Sequence, residues 1–416
     1  MNWRMLILLI VTLESVYRMI LHIVTDRSAN RPIPAIVADV YDADTYQRWR
    51  KYSADKCRLH MIGALFNWFV SVILLTLNVH AAVAALVSGG TFLPSLAVLV
   101  FQSLVDTICN TGLQYVEIMV IEQKYGFNRS SIRTFIMDRV RGLIIEILLN
   151  IALMWLLSIL YGWLGDSVVL LFAGVVFVLN LSIAFLYPIL SRMGNKFVPL
   201  EDGDLRDRLM ALLEKHGYQV KAIEVMDASR RTTKANAYFT GFGRMKTIVL
   251  FDNILNTMST DEICAAFAHE LGHGLHKDVP KQQLMNLCGL LLMSVTIWLA
   301  IRFPAMHQAF GFEQVNYGFA SFLMGAAFGL VQPLIDIWLN AYSRFAELRA
   351  DQQAVAEGYG EALISGLKKL GKENFTHLSP APLLVVLKYS HPPLHQRIEA
   401  IKSVLRPRNV APTIRR

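Results

Sequence analysis

Seven apolar stretches, each near or above the ~20 residues that cross a bilayer, constrain this chain more than any other feature. They occupy residues 5–24, 61–87, 93–121, 143–164, 168–190, 284–301 and 319–339. With 54% hydrophobic and only 17% charged residues among 416, too little polar side chain remains to coat a soluble protein of this size. The first stretch carries Glu14 and Arg18 at its middle and no small-residue cleavage site follows it. It therefore reads as a retained span and not as a secretion signal.

The net charge of +8 would suggest nucleic acid in a soluble protein, but the basic residues follow the spans. The connection after the first stretch holds Arg27, Arg31, Arg48, Arg50, Lys51, Lys56 and Arg58, and that after the third holds Lys124, Arg129, Arg133, Arg139 and Arg141. The alternate connections, 88–91, 165–166 and 304–317, hold no Lys or Arg. This alternation is the positive-inside pattern. It predicts an N-terminus outside, with the polar insert 191–283 and the C-terminal segment in the cytoplasm. It leaves no case for nucleic acid, and nothing points to an obligate protein partner. Cys57, Cys109, Cys264 and Cys288 have no paired spacing and read as buried, reduced thiols.

The expected fold class is an all-α multi-pass membrane protein of about seven helices with a small α+β cytoplasmic domain. Residues 1–190 would form five spans, 191–283 the cytoplasmic domain, 284–340 two further spans, and 341–416 a cytoplasmic segment completing the site. Within the insert, 204–215 has amphipathic helical spacing, 220–226 alternates as a strand, and 235–239 with 247–251 would pair as a hairpin. Ser259 and Glu262 stand three apart, as in a capping box, and open a helical pattern through Ile263, Phe267 and Leu271. A further helix is expected at 342–357, continuing the last span.

The capped helix would carry His269-Glu270-Leu271-Gly272-His273. Imidazoles at i and i+4 share a helix face and reach one ion. The intervening Glu270 stands where a general base for water is needed. A catalytic zinc takes three protein ligands and keeps one position open. Glu347, with Asp351 one turn on, offers the third, and Asp351 would orient a ligand imidazole or handle protons. On spacing alone, a solvated acidic face partnered by Arg344 and Arg349 is the alternative. His391 and Arg397, in His391-Pro-Pro-Leu-His395-Gln-Arg397, are candidate donors to an oxyanion; a loop histidine before a helix is the alternative. The strand around Asn236, Ala237 and Tyr238 either aligns an extended peptide or is an ordinary hairpin.

Taken in order, Glu122–Asn128, Phe197–Gly203, Ala235–Phe239, His269–His273, Ser343–Asp351 and Ser390–Pro393 with Arg397 resemble the zinc-type CAAX prenyl proteases. That membrane family processes yeast a-factor and prelamin A. The resemblance covers nearly the whole chain. It implies one Zn2+ per chain on His269, His273 and Glu347, with Glu270 as catalytic base and Asp351 where the family's proposed proton donor falls. It places His391 and Arg397 near the site and Asn236 on the substrate backbone. It also implies seven helices around an intramembrane chamber, the metal site facing it from the cytoplasmic side. The implied reaction cuts after a prenylated cysteine in a C-terminal CAAX sequence, releasing three residues. The chain lacks the longer insertions of many eukaryotic members, and its end is not a clear dilysine signal. Both features suit a bacterial inner-membrane homologue, the alternative being the endoplasmic reticulum. Two other readings are a general quality-control metalloprotease of the membrane and a scaffold with a vestigial metal site.

Overall fold

Long apolar runs free of internal Gly and Pro clusters satisfy their backbone polar groups only as helices when water is absent, and the chain is built accordingly. The structure, a computed structural model, describes residues 2–190, 192, 195–234, 237–240 and 247–406. In chain order the helices begin with α1 (Trp3–Ser28), α2 (Ala43–Thr76), α3 (Val79–Ala85), α4 (Phe92–Tyr115), α5 (Ile132–Leu164) and α6 (Val168–Leu190). Next come α7 (Asp204–Lys215), α8 (Asp252–Thr257), α9 (Thr260–Leu275), α10 (Asp278–Ile301) and α11 (Pro304–Gln308). The last are α12 (Tyr317–Ala356), α13 (Gly360–Glu373), α14 (Pro382–Lys388) and α15 (Leu394–Leu405). The strands are β1 (Phe197–Pro199), β2 (Ala222–Met226), β3 (Ala237–Thr240) and β4 (Thr247–Phe251).

The chain divides into two compact units. The first comprises Met1–Arg27, Arg50–Ser182 and Gln283–Trp338. Among the described residues, six helices are long and apolar enough to cross a membrane: α1, α2, α4 with its π-helical extension to Glu122, α5, α10 and α12. The remaining expected run forms α6, helical over 23 residues. Ile108, Trp155 and Trp163 are 72%, 68% and 85% exposed; apolar faces of this kind suit lipid and not water. The second expected span is displaced: its helix starts at Ala43 and ends at Thr76, and α3 follows separately. Asn78, in the left-handed region at φ 55°, breaks the run, as a short polar side chain can. Arg4 donates to the Thr76 carbonyl at 3.2 Å and to Asn78 Oδ1, satisfying the freed helix end. Two charges expected inside a span are paired with each other, Glu14 with Arg18. Cys57 and Cys264 are buried, but Cys288 is exposed on α10, so the buried-thiol expectation fails there.

The second unit comprises Ser28–Trp49, Ile183–Gln282 and Leu339–Arg416. Its sheet has the order β1-β2-β4-β3, with β2 and β4 parallel and the other pairs antiparallel. The expected hairpin is present, Tyr238 opposite Val249 and Thr240 opposite Thr247; β3 forms one edge of the sheet and β1 the other. The core joins Leu209 and Leu213 of α7, Ile248 and Leu250 of β4, Ile263, Phe267 and Leu271 of α9, and Ile398 of α15. Residues Ser28–Trp49, read from sequence as a basic loop, belong to this core. Tyr41 Oη donates to the Gly371 and Thr376 carbonyls at 2.9 and 2.8 Å, and Trp49 Nε1 to the Phe375 carbonyl at 3.0 Å.

Candidate metal centre

The site is built on two helices, α9 and the C-terminal part of α12. Helix α9 starts where the sequence places it. Ser259 Oγ accepts from the Glu262 amide at 3.3 Å, and Glu262 Oε2 accepts from the Ser259 amide at 2.7 Å. Buried Glu262 is further held by Ser365 and Lys369 of α13, each at 2.6 Å. With Ile263, Phe267 and Leu271 turned into the core, His269 and His273 share the adjoining face.

Gly272 sets how closely the two helices approach. A Cβ there would stand 3.0 Å from Ala350 Cα and 3.0 Å from Gln353 Cβ of α12. In an exposed helix, Gly→Ala stabilises by ~1 kcal/mol; here the added methyl meets backbone across the contact that aligns the ligands. Gly272→Ala is therefore expected to weaken zinc retention, with Gly272→Val worse. Chelator competition on the purified variants measures this, and unchanged retention in both would remove the packing argument.

His269 Nε2 lies 3.4 Å from Glu347 Oε2, and His273 Nε2 lies 3.3 Å from Glu347 Oε1. One ligand atom from each of the three residues falls within 4.8 Å of the others. His269 and Glu347 are buried and His273 is partly so. Arg344 donates to the Val385 and Tyr389 carbonyls at 2.8 and 2.7 Å, and Arg349 binds Asp278. The alternative of a solvated acidic face paired with these arginines thus does not hold. Asp351, 1% exposed, accepts both Nε and Nη2 of Arg397, at 2.9 and 2.6 Å, and lies 2.9 Å from His269 Nδ1. Arg397 also stands 3.4 Å from Glu347 Oε2. His391 is exposed, its Nε2 3.2 Å from Glu347 Oε1.

Burial pushes the His269 ring toward neutrality, but the Asp351 and Glu347 carboxylates outweigh it, against Arg397, and hold its pKa up at about 9. For His273 burial again opposes charge, and Glu347 and Asp278 raise the pKa against neighbouring His269. Both rings thus sit in a field that favours positive charge at their nitrogens.

The residues fit a zinc ion. A tetrahedral ion with bonds of about 2.0–2.1 Å has ligand atoms roughly 3.3–3.4 Å apart, the size of the imidazole–carboxylate separations here. Glu347 Oε2 is buried and makes no hydrogen bond among the described residues; Arg397 and the His269 ring stand 3.4 Å from it, and a bound cation would satisfy the lone pairs they leave unmet. Two imidazoles and one carboxylate are also a catalytic donor set, leaving a position open.

Glu270 is half-buried and lines one cavity of about 190 Å³ with His269, Glu347, His391 and Arg397. Asn236 lies outside the described residues. Ala237 and Tyr238 fall in β3, whose backbone runs beside α9. The sequence reading missed Asp278, which lies 3.0 Å from His273 Nδ1 and accepts from Tyr342 Oη at 3.0 Å. In sequence it stands six residues before the apolar run 284–301, in a polar stretch that carries no signal of the contact.

Residues 24–192 match the family described as "CAAX prenyl protease N-terminal, five membrane helices", and residues 199–405 match "Peptidase family M48". The chain is 30% identical over 387 residues to a CAAX prenyl protease 1 homolog of Oryza sativa subsp. japonica, covering 89% of this chain and 90% of that one. It is 28% identical over 406 residues to CAAX prenyl protease 1 of Saccharomyces cerevisiae, covering 89% of each. The crystal structure of S. mikatae Ste24p has the same fold, with a TM-score of 0.89 at 23% identity, over 96% of this chain and 99% of that one. Both halves of the chain, the apolar helices and the segment bearing the His–His–Glu cluster, therefore answer to one lineage, and the chain belongs to the CAAX prenyl protease 1 family of membrane zinc metalloendopeptidases.

Proposed function

We propose that the protein hydrolyses peptide bonds near the C-terminus of CAAX-type substrates, prenylated ones included, with one zinc per chain held by His269, His273 and Glu347. The observation that carries this reading is the shared cavity: Glu270 lines it beside two of the three proposed ligands. Its other walls, Ile254, Met258, Leu363, Leu367 and Leu370, suit an aliphatic side chain or part of an isoprenyl group. Zinc, when bound, supplies Lewis acidity, lowering the pKa of water to about 7 and polarising a carbonyl.

The chain's own residues do the rest. Glu270 takes the proton from the attacking water and delivers it to the leaving amine. His391, the exposed donor, faces the developing oxyanion. Arg397 is committed to Asp351, so its part is to hold that carboxylate against His269, keeping the ring's Nε2 toward the metal. Edge strand β3, which starts at Ala237 and Tyr238, offers backbone groups to an extended peptide, with Asn236 next to it in sequence as the further candidate. The alternation of basic connections supports a cytoplasmic face for this domain, and the compact sequence favours a bacterial inner membrane.

The test is cleavage of a farnesylated CAAX peptide and its unmodified counterpart by the purified full chain, with zinc content measured alongside. Cleavage of the farnesylated peptide is expected, lost with chelator and restored by zinc. Protein that holds one zinc yet cuts neither peptide would overturn the substrate class. Protein that cuts without zinc would overturn the metal assignment.

A further inference from the structure

Each proposed ligand imidazole carries a carboxylate on its far nitrogen. The His269 carboxylate is Asp351 and belongs to the neighbourhood already described. The second is Asp278, and nothing about its position in the sequence announces a role. Its Oδ2 lies 3.0 Å from His273 Nδ1. Its Oδ1 accepts Tyr342 Oη at 3.0 Å and the Arg349 guanidinium. Asp278 is 6% exposed, and both its oxygens are engaged.

The backbone is shaped to deliver it. Asp278 follows His273 by five residues and starts a new helix, α10. On a continued α9 its side chain would point about 140° away from that of His273. Lys277 instead takes φ 55°, a conformation that a non-glycine residue seldom adopts, and the chain turns so that Asp278 faces back to the ring. Tyr342 and Arg349 both lie on α12, the helix of Glu347. The Asp278 carboxylate thus joins the helix bearing two ligands to the helix bearing the third.

We infer that Asp278, with Arg349 and Tyr342 behind it, is a positioning residue for the metal centre. Its carboxylate accepts the Nδ1 proton of His273, fixing the tautomer that leaves Nε2 free to ligate, and clamps α9 to α12 at the ligand spacing. The inference rests on His273 being a zinc ligand. It gives the centre two His–Asp–Arg arms, His269–Asp351–Arg397 and His273–Asp278–Arg349. An outer carboxylate of this kind contributes roughly 10–100-fold to metal affinity.

The experiment compares zinc affinity of the full chain in detergent, by chelator competition, for wild type, Asp278→Asn, Asp278→Ala, Tyr342→Phe and His273→Ala. Asp278→Ala is expected to bind zinc about 10–100-fold more weakly. Asp278→Asn keeps an acceptor oxygen and should fall between it and wild type. Tyr342→Phe, which removes one bond to Asp278 and preserves its shape, should weaken binding a few-fold and keeps the test decisive if the Asp278 variants fold poorly. Cobalt-loaded Asp278→Asn should show a shifted visible spectrum, and on peptide its kcat should fall with KM nearly unchanged, neither of which a purely structural ion pair would produce. Zinc affinity within twofold of wild type in well-folded Asp278→Ala, or in Tyr342→Phe where the Asp278 variants misfold, would overturn the inference and leave the ligand set standing. One zinc retained by His273→Ala would overturn the ligand set, and the inference with it.

Discussion

Glu270→Gln is expected to lower kcat by about 10³–10⁴ while the protein still holds its zinc. Gln has the shape of Glu but cannot accept the proton of an attacking water. Positioned acid–base catalysis contributes typically ~10²–10⁴ in rate, and each factor of ten is about 1.4 kcal/mol of barrier. The upper part of that range is expected because one residue would act twice, first as base and then as acid to the leaving amine. Metal content should not change, since the atoms of His269, His273 and Glu347 converge without Glu270. KM should change little, because the lost interaction belongs to the transition state. Zinc content and steady-state kinetics on the same preparation decide it. A variant with a normal kcat would overturn the base assignment. Zinc lost in step with activity would make Glu270 a support of the site and not its base.

Much of this centre was legible because its signals are local. The Ser259–Glu262 cap, the apolar positions Ile263, Phe267 and Leu271, and the i, i+4 histidines all lie within four turns of one helix, where spacing alone fixes which side chains share a face. The hairpin of β3 and β4 and the continuation of the last span into Glu347 and Asp351 were readable for the same reason. What escaped were groups meeting across long stretches of sequence. Tyr41 hydrogen-bonds carbonyls at 371 and 376, so the first connection became part of a core that no local pattern announces. Arg344 and Arg349 flank Glu347 in sequence, yet successive residues on a helix point in different directions. Arg344 goes to the carbonyls of 385 and 389, and Arg349 to Asp278. Asp278 reaches His273 only through the left-handed turn at Lys277, a conformation that Lys itself does not signal.

Arg397→Ala is expected to cost more stability than any other charge removal in the second unit, about 3–5 kcal/mol. The guanidinium binds both oxygens of Asp351 and lies 3.4 Å from Glu347 Oε2. Its side chain is 12% exposed, against 1% for Asp351 and 7% for Glu347. Deleting it leaves two buried carboxylates with one cation fewer, the situation in which a broken pair is most costly. The pair of Lys368 with Asp39, whose carboxylate is 65% exposed, is the internal control: Lys368→Met should cost about 0–1 kcal/mol. Arg397→Lys restores the charge but not the planar fork that meets both oxygens, and should recover only part of the loss. The penalty should also depend on metal. Zinc bound beside Glu347 offsets the same negative charge, so the midpoint of thermal unfolding should fall further in chelated than in zinc-loaded Arg397→Ala. Equal falls in the two states would mean that Arg397 contributes packing alone. A fall only in the chelated protein would mean that Arg397 balances charge at the metal centre and adds little beyond that.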